Sequence, residues 1–166
     1  MLSGICLAAA FLLAVFVHES AHLAAIYSMG LRVERIGFEL CGLKICYSGD
    51  AGGWEDLISA LSGPVAGVVY YLFARNLHEM FALSAQISLV YSAFNLIPII
   101  PLDGGRALSC LLEHLCGAEK GSRYCRAVSL VISVAVLLIG TIYYLRGEGG
   151  AVYAAGIWLV IMQNTN

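Results

Sequence analysis

Polar side chains are sparse in this chain, and most of them fall between long apolar runs. Five runs are long or apolar enough to cross a bilayer, which takes about 20 helical residues. They extend over roughly Leu2–Met29, Asp56–Phe73, Met80–Ile97, Ala127–Leu145 and Ala151–Gln163, the last being short. Between the first two the pattern changes period. Arg32 to Leu40 alternates polar and apolar residues, and Leu43 to Tyr47 does so again after Cys41-Gly42. That alternation around a glycine predicts a short β-hairpin. Its plain use is as an interfacial hairpin; its further use is as an edge strand to which an extended segment pairs. After the third run, Pro98 and Pro101 stop the helix and impose an extended turn. Ala107 to Cys116 then reads as a short amphipathic helix. The pattern predicts an all-α polytopic membrane protein with about five transmembrane helices and a small β-hairpin between helices 1 and 2. It fits one domain over residues 1–166, with a core at about 2–117 and additional helices at about 124–166.

Composition supports a membrane setting. The 166 residues are 60% hydrophobic and 12% charged, with mean hydropathy +0.85. Soluble domains carry about 25% charged residues. The net charge of -2 comes without any basic run, so nucleic acid is not expected as a partner. The first apolar run is too long for a signal peptide and is expected to be retained. The six cysteines, Cys6, Cys41, Cys46, Cys110, Cys116 and Cys125, form no C-x-x-C pair and read as reduced filler. Cys41 and Cys46 are the two that a hairpin would bring near one another.

Charge distribution orients the spans. Arg32, Arg35 and Lys44 lie in the first connection, and Arg106, Lys120, Arg123 and Arg126 in the third. The second and fourth connections hold only Arg75 and Arg146. The positive-inside rule then puts the N-terminus outside and the first and third connections in the cytoplasm.

The first run contains His18-Glu19-Ser20-Ala21-His22. No charged residue precedes Glu19, and no Lys or Arg precedes Arg32. On a helix His18 and His22 share one face and can hold one zinc ion. Glu19 is turned about 100° from that face, where a carboxylate can take a proton from water. Ionisable groups at membrane depth mark function, although hydrogen bonding within a bundle is the plainer alternative. Asp103 stands on the stiff Asn95–Arg106 connection, ahead of Gly104-Gly105. It is a candidate third ligand, or else the cap of the next helix. On the predicted topology His22 lies roughly 10 Å inside the cytoplasmic end of its helix, on the same side as Asp103. Asn95, the one uncharged polar side chain between Phe94 and Leu102, is suited to hydrogen-bond a substrate or an oxyanion, or to cap its own helix. His78 and His114 lack partners at ligand spacing and read as loop and interface residues. Ser59-x-x-x-Gly63-x-x-x-Gly67 reads as a packing stripe without chemistry.

His18-Glu19-x-x-His22, Asn95-x-x-Pro98-x-x-x-x-Asp103-Gly104 and the middle element Ser62-Gly63-Pro64 together resemble the site-2 protease family of intramembrane zinc metalloproteases. The Asn95–Gly105 segment and the arginine-rich hairpin look most like the sporulation-type branch, which processes a pro-sigma factor. The resemblance implies one zinc per chain, held by His18, His22 and Asp103, with Glu19 as catalytic base and Asn95 near the substrate. The sequence departs from the family in having Ala21 where glycine is usual before the second histidine. Within these 166 residues no apolar run stands ahead of the motif run and no nucleotide-sensing domain of the sporulation type is expected.

The leading expectation is an endopeptidase that cuts a membrane-embedded or membrane-associated protein near the cytoplasmic face, with the lipid bilayer as its medium. A helix-binding module of the same fold without proteolysis is the alternative, and the intact Glu19 argues against it. A metal transporter would need polar residues distributed over several spans, and the second, fourth and fifth have almost none.

Overall fold

A computed structural model describes residues 4–39, 42–48 and 53–165. Its elements are α1 (Gly4–Ser28), β1 (Arg32–Glu39), β2 (Gly42–Ser48), α2 (Trp54–Ala74), α3 (Glu79–Asn95), α4 (Asp103–Cys116), α5 (Ala118–Leu145) and α6 (Gly150–Thr165). They fall into two compact units, Met1–Leu96 and Ile97–Asn166.

In the first unit α1, α2 and α3 pack pairwise against one another. The buried stripe of α1 is Ala10, Ala14, His18, His22 and Ile26, one residue every four, with Glu19 buried beside it. Ile5, Leu12 and Phe16 face outward and are exposed. Small and polar groups inside and large apolar groups outside reverse the soluble pattern, as expected where the solvent is lipid. α3 repeats this arrangement, burying Ser84, Ser88, Ser92 and Asn95. The backbones of α2 and α3 approach closely at Gly67. A Cβ there would run into the Ser92 hydroxyl and lie 2.9 Å from that of Ser88. Tyr70 and Ser84 add a hydroxyl pair at 2.7 Å across the same seam.

α1 ends in a Schellman turn. Leu31 N–H donates to Ile26 O and Gly30 N–H to Tyr27 O, with Gly30 at φ +73°. That left-handed conformation favours glycine, and it releases the chain into β1. β1 and β2 pair antiparallel, from Arg32 opposite Ser48 to Glu39 opposite Gly42, with one irregularity between Val33 and Arg35.

In the second unit α4 packs on α5 and α5 on α6. Gly140 and Gly156 let α5 and α6 touch backbone to backbone near Tyr153 and Leu137. Most of α5 is turned outward, including Val131, Leu138 and Ile139.

The span pattern differs in part from the sequence expectation. Among the described residues three helices, α1, α2 and α5, are long and apolar enough to cross a membrane. α3 has 17 residues and α6 has 16. α3 stops at Asn95 because Pro98 cannot continue it, and its serines dilute its apolar content. α5 begins at Ala118, nine residues before the expected start, since hydropathy marks only the apolar part of a longer helix. Any approach of Cys41 to Cys46 lies outside the described residues. Cys6, Cys110, Cys116 and Cys125 are thiols outside any disulfide.

Candidate metal centre

His18 and His22 stand one turn apart on α1 and are 1% and 4% exposed. Their rings meet edge to face, with centroids 4.8 Å apart and planes at 76°. The other side of His18 is packed by Tyr91 of α3, with ring centroids 4.9 Å apart and planes at 77°.

α2 fixes the second imidazole. His22 Nδ1 lies 2.7 Å from the carbonyl oxygen of Ser59. A carbonyl can only accept, so Nδ1 carries the proton and donates it. The lone pair then belongs to Nε2, the nitrogen left to bind a metal. The Ser62 hydroxyl donates to the same carbonyl at 2.7 Å and lies 3.3 Å from His22 Nδ1. Pro64, two residues on, has no N–H to return to Ala60, which loosens the helix ladder beside this contact.

Gly63 shows where one nitrogen of each imidazole points. A Cβ built on it would collide with His22 Nε2 and stand 2.7 Å from His18 Nε2. Both Nε2 atoms therefore converge beside the bare backbone of α2. Two imidazole nitrogens brought together in a buried site fit zinc, for which imidazole is a common ligand. The packing stripe read from the sequence is thus corrected at one position. Gly67 packs against α3, whereas Gly63 makes room for the imidazoles. Equal spacing in the sequence concealed that difference. The roles of Tyr91 and of the Ser59 carbonyl also escaped the sequence reading, since a backbone acceptor has no residue-type signature.

Glu19 comes directly after His18 on α1 and is buried at 9% exposure. Asn95 ends α3 and is 3% exposed; its Nδ2 donates to Tyr91 O at 3.0 Å. It is thereby tied to the residue whose ring packs on His18. His78 stands on the turn before α3 and His114 on α4.

Asp103 belongs to the second unit. It is the first residue of α4, and its burial is nearly complete. The N-cap position is taken by Leu102, and it makes no side-chain cap bond. Asp103 is therefore not in the cap position considered for it. Its carboxylate lies 3.7 Å from the Arg106 guanidinium, one turn along.

Apolar helices that enclose two converging imidazoles, one of them held in a single tautomer by a carbonyl of the neighbouring helix, fit a metal-binding protein of the membrane. The chain belongs to peptidase family M50, whose sequence profile matches residues 51–140. This is the family of site-2-type zinc metalloproteases to which the motifs point. The match takes in Gly63, Asn95 and Asp103, while the His-Glu-x-x-His helix lies ahead of it. A zinc metalloprotease of Methanocaldococcus jannaschii is 29% identical over 136 residues, which cover 76% of this chain and 40% of that protein. A putative zinc metalloprotease from Synechocystis sp. is 26% identical over 117 residues, 64% of this chain and 31% of its own. The chain thus spans well under half the length of these curated relatives. The solved site-2 protease from Methanocaldococcus jannaschii has the same fold, with TM-score 0.78 at 18% identity over 99% of this chain and 79% of that one.

Proposed function

We propose that the chain is an intramembrane zinc metalloendopeptidase that cuts a membrane-embedded or membrane-associated protein near the cytoplasmic face. The observation that carries this reading is the convergence of the His18 and His22 Nε2 atoms beside Gly63. His18, His22 and Asp103 hold the metal in this reading. Each of the three side chains is buried. The chemistry that a bound zinc supplies is Lewis acidity toward the scissile carbonyl and toward water.

The remaining roles belong to the chain itself. Glu19 takes a proton from the attacking water and returns it to the leaving amine. Tyr91 and the Ser59 carbonyl keep the two imidazoles in place. Asn95, tied to Tyr91, has an amide N–H left over for substrate backbone or for the developing oxyanion. An apolar groove of about 410 Å³ between α1 and α3 runs from Leu83 past Phe11 and Val90 to Tyr91, so a hydrophobic segment can lie against the same ring that packs on His18. The β1–β2 hairpin offers an edge to an extended substrate. The bias of Lys and Arg toward the first and third connections favours an N-terminus outside and a site near the cytoplasmic face. A helix-gripping module without catalysis would not require Glu19 to be buried next to imidazoles set for a metal.

The test is purified protein in detergent, assayed for metal content and for cleavage of a single-span substrate whose helix is weakened by glycine or proline. About one zinc per chain, with cleavage that a chelator abolishes, supports the proposal. Zinc binding without cleavage of any such substrate would favour the helix-gripping module.

A further inference from the structure

The connection Leu96–Leu102 has a backbone problem, because Pro98 and Pro101 contribute no N–H while Ile99 and Leu102 are buried. Backbone groups left unpaired in such surroundings are costly. The second unit solves the problem at Ile100. Its N–H donates to the Ser129 hydroxyl of α5 at 3.1 Å. Its carbonyl accepts from the Gln163 amide of α6 at 2.6 Å. Side chains of two different helices, 29 and 63 residues distant in the chain, thus take both polar groups of one residue.

Three further contacts fix the turn from Ile99 into α4. Ile99 and Leu102 are buried, and Leu102 N–H closes on Ile99 O at 2.8 Å. The first turn of α4 presses on the Ile99–Ile100 peptide, where a Cβ on Gly105 would come within 2.5 Å of Ile100 N. The Cys125 thiol of α5 donates to Gly105 O at 3.4 Å. Asp103 is embedded in this clamped stretch, with the fixed φ of Pro101 two residues before it. Gln163 is also hard to account for otherwise, being the first amide side chain after the apolar run that begins at Ala151.

We infer that Ser129 and Gln163 are positioning residues that set the Asp103 carboxylate by holding both polar groups of Ile100. This rests on the reading of Asp103 as a metal ligand. Groups that orient a metal ligand without touching the metal commonly change affinity by about 10- to 100-fold when removed. Helices α5 and α6 are therefore part of the apparatus that places the third ligand.

The experiment measures zinc affinity by chelator competition in detergent, together with amide exchange over residues 102–106. Gln163→Met and Ser129→Ala are expected to weaken zinc by about 10-fold or more and to speed exchange in that stretch. Ser133→Ala is the control. Its hydroxyl is equally buried one turn further along α5 and donates to Ser129 O rather than to the connection. It should leave both readouts at the wild-type value. In an Asp103→Ala background Gln163→Met should weaken zinc no further, because the effect runs through the carboxylate. Equal weakening with and without Asp103 would overturn the inference, as would unchanged affinity and exchange in the single variants. Unchanged affinity in Asp103→Ala alone would instead overturn the ligand reading. Faster exchange in Gln163→Met would then still show the clamp on Ile100.

Discussion

His22 donates a hydrogen bond from its Nδ1–H to the carbonyl of Ser59, 2.7 Å away on the neighbouring helix. One backbone acceptor thereby decides which nitrogen of that imidazole is free for a metal. The contact depends on close approach of α1 and α2, and Gly63 is where the backbone of α2 meets both imidazoles.

Gly63→Ala is therefore expected to weaken zinc binding by about 10-fold or more while leaving the helical content intact. Gly67→Ala sits one turn along and strikes the Ser92 hydroxyl instead. It should lower thermal stability and leave the zinc affinity of the folded fraction unchanged. Chelator competition and thermal unfolding on both variants check the pair. Identical behaviour of the two would mean that Gly63 serves packing alone.

Glu19→Gln keeps the shape and hydrogen-bonding reach of the side chain and removes its basic oxygen. The variant should bind about one zinc per chain and capture substrate. Turnover should fall by about 100-fold or more, in line with the loss of a general base. Loss of zinc in the same variant would make Glu19 a ligand, and wild-type turnover would place the proton acceptor elsewhere.

Asn95→Ala separates two uses of one amide. The Nδ2 bond to Tyr91 O already serves the end of α3. If the remaining N–H meets the substrate, the variant keeps zinc and loses most activity, since a donor of this kind is worth roughly 3 to 4 kcal/mol in proteases. Full activity with lowered stability would leave Asn95 a helix-end residue only.

Orientation is open to a direct check. A reporter fused after Lys44 or Lys120 should read as cytoplasmic, and one at His78 as external. The opposite result would reverse the cleavage side and leave the metal centre as described.

The ligand helix was legible because its chemistry and its period coincide. His18 and His22 fall on the same four-residue stripe as Ala10, Ala14 and Ile26, so the spacing that buries the helix also aims the imidazoles. Asp103 stood out in the sequence through the prolines and glycines around it. The extent of α3 was not legible, because Ile97 prolongs the apolar run past the point where Pro98 ends the helix. The start of α5 was missed for the converse reason: Lys120 and Arg123 interrupt hydropathy without interrupting the helix. Ser59 and Gly63 act through a carbonyl and a missing methyl, neither of which a residue type announces. Gln163 offered a signal in its position at the end of an apolar run, but its partner is a backbone group 63 residues away.

The 17 residues of α3 make a rod of about 25 Å, against a hydrocarbon layer of about 30 Å. A spanning helix that short would draw the lipid surface down toward its ends or leave polar groups below that surface. One of those ends is Asn95, which is tied to Tyr91 and through it to His18. Hydrolysis needs water, and a local thinning of the bilayer there would shorten water's path to the imidazoles. On the proposed function, cleavage is therefore expected to be faster in short-chain lipids than in long-chain ones.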